Sequence, residues 1–170
     1  MSKVTAANYI LFAICGLALA CIVIGKISDM LLRRKLPMIL FGTVCIVSWM
    51  VLVLTDNGKP PVTILAPLLF VLGFSTAAFT LGFAVAKEVN NPKYSGISTS
   101  VQNTGGFIGA GLVPILLGRF MDKYGSVMNA QELYSKAFVY CILSVGVGYG
   151  ALFFIKETGC RNIHSSAKID

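Results

Sequence analysis

Apolar and polar positions along this chain fall into long blocks and show no short period. Five runs contain no acidic or basic residue: 6–24, 37–54, 62–86, 97–117 and 137–155. The hydrocarbon core of a bilayer is about 30 Å thick and a helix rises about 1.5 Å per residue, so about 17–25 apolar residues make one crossing. Each run has that length. Strands are excluded, because a strand in lipid must belong to a closed barrel and show alternating positions in short segments. The pattern predicts an all-α polytopic membrane protein with five transmembrane helices. Residues 1–156 form its membrane domain and 157–170 a polar cytoplasmic tail.

Short polar connections separate the runs. Asp56, Asn57, Gly58, Pro60 and Pro61 break the second run from the third, and Asn90, Asn91 and Pro92 precede the fourth. These are turn formers, and the residue before a proline is turned away from helix. The longest connection is 119–136. Proline also occurs inside runs, at Pro67 and Pro114, where loss of one backbone hydrogen bond predicts a kink.

Composition agrees with the membrane reading: 56% of residues are hydrophobic and 12% charged, with a mean hydropathy of +0.80. The net charge of +7 changes the picture only through its placement. Nine bases (Lys26, Arg33, Arg34, Lys35, Lys87, Lys93, Lys156, Arg161, Lys168) fall on one side of the predicted topology and five (Lys3, Lys59, Arg119, Lys123, Lys136) on the other. The positive-inside bias then puts the N-terminus outside and the C-terminus in the cytoplasm of a bacterial inner membrane. Membrane lipid is the implied partner of these bases, and nucleic acid is not, since they form no stripe with interleaved aromatics.

Cys15, Cys21, Cys45, Cys141 and Cys160 form no C-x-x-C pair, and His164 stands alone in the tail. The sequence therefore implies no metal site and no cofactor. No nucleotide loop or nucleophile arrangement appears, and enzymatic chemistry is not expected.

Small residues recur at helical spacing in the fourth run: Gly105 with Gly109, Gly106 with Ala110, then Gly111. Such a face predicts close helix packing, because helices in lipid associate through packing and not through expulsion of water. The same run carries the adjacent amides Gln102 and Asn103, followed by Thr104. With Thr80 in the third run and Asn8 in the first, these are the candidates for lining a substrate cavity. Amides in apolar surroundings need partners or water, and bonding between helices serves them equally well.

The stretch 25–35 interrupts the first two runs with an acid and three consecutive bases. Asp29 and Arg33 are four apart, which on a helical turn places them on one face in the favourable order. The bases are accounted for by topology, but a carboxylate at the C-terminal end of a helix meets an unfavourable dipole and needs another partner.

Gly25, Asp29, Arg33 and Arg34 together resemble the loop joining the eighth and ninth helices of the major facilitator superfamily. Met30 and Leu32 stand where that pattern has a base and a glycine. Glu88 to Pro92, Gly96, Gln102, Asn103, Gly105, Gly106, and Pro114 through Gly118 to Asp122 are similar to its tenth-to-eleventh helix region. The resemblance implies an incomplete half of the fold, the eighth to twelfth helices. It further implies a fragment or split half of a secondary active transporter moving a small solute by alternating access, with the missing N-terminal half as partner. Under it, Asp29 meets a helix end on that other half, and Gly25, Asp29, Arg33 and Arg34 form a gating loop. A membrane remnant without transport, or a helix-packing interaction protein, is the alternative.

Overall fold

The computed structural model describes residues 3–166, so Lys168 and the end of the predicted tail lie outside the described residues. Helix α1 spans Lys3–Leu31, α2 Lys35–Leu54, α3 Val62–Thr76, α4 Ala78–Glu88, α5 Ser95–Tyr124 and α6 Ala130–Leu152, with a short α7 at Ile163–Ser166. Single 3-10 turns cover Thr55–Asn57 and Pro92–Tyr94. No strand occurs among the described residues. Counting α3 and α4 as one crossing, five helices are long and apolar enough to cross a membrane.

The helices outrun the apolar runs. Helix α1 continues through the charged stretch to Leu31, so the connection to α2 is only three residues long. Its end is a Schellman motif: Arg33 N–H donates to Ser28 O at 3.2 Å and Leu32 N–H to Asp29 O at 3.3 Å. Leu32 adopts the left-handed conformation with φ 50°, at the position where the resembling loop has glycine. The predicted connection 119–136 shrinks to 125–129, because α5 runs on to Tyr124 and α6 starts at Ala130. Asn129 explains that start: its Oδ1 accepts from Glu132 N–H at 2.9 Å, an N-cap that lets a polar first turn be helical.

The third crossing breaks at Ala77 (φ −59°, ψ −13°), while Pro67 and Pro114 lie within α3 and α5. The break therefore lies well beyond the predicted proline. Ser75, Thr76 and Thr80 turn their hydroxyls back onto the carbonyls of Leu72, Gly73 and Ala77, competing with the helical ladder around the break.

Helices α1 and α3 cross most intimately. A Cβ added at Gly73 would stand 1.9 Å from Ala13 O, and one at Gly16 would stand 2.2 Å from Phe70 O. Only glycine permits that approach. Toward the charged end the core gathers Ala20, Ile24, Met38, Ala77, Leu81 and Val85, flanked by the stacked rings of Phe41 and Phe74. Helix α5 is the opposite case, with every residue from 101 to 112 exposed. Among the described residues nothing lies within 4 Å of a Cβ built at Gly105, Gly106, Gly109 or Gly111. Within this chain the glycine seat is at Gly16 and Gly73, not on the predicted face.

Candidate functional site

Four segments meet at one end of the bundle: the end of α1, the start of α2, the end of α4 and the chain leaving α6. Arg34 stands at their centre, and only 10% of its side chain is exposed. Its Nη2 lies 2.7 Å from Glu88 Oε1, and its Nε donates to both Glu88 oxygens at 3.0 and 3.2 Å. Nη1 donates to Asp29 Oδ1 at 2.7 Å and Ser28 Oγ at 2.9 Å. The forked donor geometry of guanidinium suits this arrangement in a way that lysine does not. The hydrogen bond to Glu88 holds the Arg34 guanidinium above its ordinary value against the opposing effect of burial, and Asp29 adds to it.

The carboxylate of Glu157 completes the cluster. Its Oε1 accepts from the backbone N–H groups of Arg34, Thr158 and Gly159, and its Oε2 from that of Lys35. It thus caps the positive end of α2 from a segment more than a hundred residues away. Burial alone would raise the Glu157 carboxyl, but the N–H donors of Arg34, Lys35, Gly159 and Thr158 hold it below the ordinary carboxylate range.

The rest of the returning segment is equally anchored. Thr158 is buried and its hydroxyl donates to Glu88 Oε2. Asn162 Nδ2 donates to the carbonyls of Lys87 at 2.8 Å and Asn90 at 2.9 Å, at the end of α4. The first part of the predicted polar tail is thus, through Asn162, strapped to the end of α4.

Of the predicted loop residues, Asp29 and Arg34 come together and Arg33 does not join them. Asp29 pairs with Arg34 instead of Arg33 because α1 ends at Leu31, and the Schellman turn sends Arg33 outward while Arg34 points in. The side chain of Asp29 remains 65% exposed. Gly25 lies inside α1, and among the described residues nothing comes within 4 Å of its Cβ position. Glu157 and Thr158 were not anticipated, and Glu88 only as part of a resemblance. Their signal was available: Glu88 and Glu157 each follow an apolar run after a single lysine, where a buried base needs them.

The cavity candidates do not converge. Gln102, Asn103 and Thr104 are exposed on α5, where the Gln102 amide lies against Gly82 of α4 and Thr104 donates to Ser100 O. Thr80 is half-buried in α4 and bonded to its own helix. Asn8 lines a separate hollow of about 320 Å³ with Tyr9, Phe12 and Ala66. Among the described residues, no three His, Cys, Asp or Glu side chains stand where they could hold a metal ion.

The chain is similar to the probable galactarate/D-glucarate transporter of Bacillus subtilis, with 30% identity over 140 residues that cover 78% of this chain and 30% of the relative. The likeness is to a transporter. The chain spans 30% of that protein's length. No family model matches the chain, and no solved structure matches it. Five apolar helices of membrane-crossing length, together with this relative, make it a multi-pass membrane protein.

Proposed function

We propose that this chain is a C-terminal portion of a secondary transporter of the major facilitator superfamily, corresponding to its eighth to twelfth helices. The likeness to a transporter across 78% of the chain carries the reading. It forms a solute cavity with helices beyond this sequence, on the same polypeptide or another. The open face of α5 supports this: Asn103 and Thr104 are exposed beside Gly105, Gly106, Gly109 and Gly111, whose Cβ positions meet nothing within 4 Å among the described residues, while Gln102 borders Gly82 of α4. Another half would supply the cover, and the glycines would let it slide close.

Arg34 and its acids then act as the latch of one gated state. A buried pair resists opening because separating it leaves a charge in a poor solvent. The exposed face of Asp29 is free to meet a further partner on the other half. The charged end faces the cytoplasm of a bacterial inner membrane, as the bias of bases toward it predicts. The relative's name makes galactarate and D-glucarate the first solutes to test.

The test is a chimera in which this chain replaces the matching segment of the Bacillus subtilis relative. Uptake of labelled galactarate or D-glucarate is expected in the chimera and not with the chain alone, and Asn103→Ala should reduce it. A chimera that reaches the membrane and takes up neither solute would leave the remnant reading in its place.

A further inference from the structure

Among the described residues, each acid at the charged end already has a partner other than Arg33. Asp29 and Glu88 both pair with Arg34, and Glu157 is taken by backbone N–H groups. Arg33 is exposed, and its guanidinium has no acid partner among the described residues. Beside it, Lys35 Nζ donates to Phe153 O at 2.6 Å, keeping that ammonium at the same rim with N–H bonds to spare.

Arg33, Lys35, Leu36, Ile39 and Glu157 line an open hollow of about 350 Å³. One side of it is cationic and the other apolar. From there Leu36, Leu40, Val44, Val47 and Val51 are exposed along α2 at spacings of three and four residues, which makes them one stripe. The stripe runs into a second hollow of about 440 Å³ between α2 and α3, where Val44, Val47 and Val51 face Ile64, Leu68 and Val71. A cationic mouth at the end of a membrane helix thus continues into an apolar trough along the same helix.

We propose that this path is a site for one anionic phospholipid, with its phosphodiester at Arg33 and Lys35 and an acyl chain along α2 in the trough against α3. Charge complementarity selects the headgroup, since a zwitterionic lipid brings no net charge to an unpaired base. The trough selects a lipid over a soluble phosphate, which would touch only the mouth. Glu157 lies at the same rim, but its oxygens already face the N–H groups at the start of α2. The proposal rests on membrane insertion and not on transport, so either can fail without the other.

Native mass spectrometry of the full chain, released from detergent with equimolar phosphatidylglycerol and phosphatidylcholine, tests it. An anionic lipid gains about fivefold per base near the surface, so phosphatidylglycerol adducts are expected to exceed phosphatidylcholine adducts by at least about fivefold. Arg33→Gln should lower that excess about fivefold, leaving only the share of Lys35. Lys59→Gln, at the other end of α2, should leave the excess intact. Val47→Trp, which fills the trough, should weaken phosphatidylglycerol retention, and glycerol 3-phosphate should not compete. Parity in the unsubstituted chain, indifference to Arg33→Gln, an equal loss in Lys59→Gln, or competition by glycerol 3-phosphate would each overturn the site. Among the described residues the Arg33 guanidinium has no acid partner to lose, and an unchanged melting temperature of the variant separates lost binding from lost fold.

Discussion

The crossing of α1 and α3 and the face of α5 use the same residue for opposite ends. Gly16 and Gly73 bring two backbones so close that a methyl group would collide with a carbonyl oxygen, whereas Gly105, Gly106, Gly109 and Gly111 have open space over them. One region is closed within this chain; the other lies open among the described residues. Small residues at helical spacing therefore state that a neighbour can come close, and not that it belongs to the same stretch of sequence. Burial follows the same division. The core and the Arg34 cluster join α1, α2 and α4, while the middle of α5 is exposed throughout.

The largest expected effect lies on the closed side. Arg34→Ala leaves Glu88 half-buried without its cation, and removing one partner of such a pair costs about 3–5 kcal/mol. Thermal unfolding in detergent should show it as a clear fall in melting temperature, with Asp29→Asn much milder because that acid is mostly exposed. A melting temperature unmoved by Arg34→Ala would mean that the cluster does not hold the bundle's end together.

Next comes the glycine contrast itself. Gly73→Ala drives a methyl into the backbone of Ala13, and overpacking of this kind costs about 1–3 kcal/mol. Gly109→Ala meets nothing and should instead gain up to about 1 kcal/mol from helix propensity in the isolated chain. In the chimera the same Gly109→Ala should lower uptake if a second half packs there. Equal melting shifts for the two variants would erase the distinction between the faces.

The smallest effect sharpens the end of α1. Leu32 holds a left-handed φ that costs a residue with a Cβ about 1–2 kcal/mol. Leu32→Gly should therefore stabilise the chain by about 1 kcal/mol or slightly less, since glycine also frees the unfolded state. A fall in stability would show that the Leu32 side chain contributes more than its backbone strain costs.

How much was legible depended on the kind of contrast involved. Water against lipid is a large contrast, so the five crossings and the polar connections could be read directly from the runs of residues. The charged stretch was also legible as something beyond topology, because Asp29 needed a partner that the positive-inside bias does not supply. The i,i+4 spacing put Arg33 on its face, but helix extension to Leu31 with its left-handed turn brought Arg34 to Asp29 within this chain. Protein against lipid is hardly a contrast at all. A residue facing a neighbouring helix and one facing an acyl chain are equally apolar, so the seat at Gly16 and Gly73 and the open face at Gly105 looked alike. The strap of Glu157, Thr158 and Asn162 was hidden for a different reason, since a polar segment after the last crossing has the same composition whether it is solvated or anchored.

By itself the amino-acid order determined the number of crossings, their approximate limits and the concentration of bases at one end, because transfer of side chains between water and hydrocarbon is a local, additive quantity. Only the tertiary structure decided which glycines touch, where the third crossing breaks, and that Arg34 is shared by acids from α1 and α4 while Glu157 caps α2. Those outcomes depend on distances between segments far apart in the chain, and no local free energy of transfer contains them.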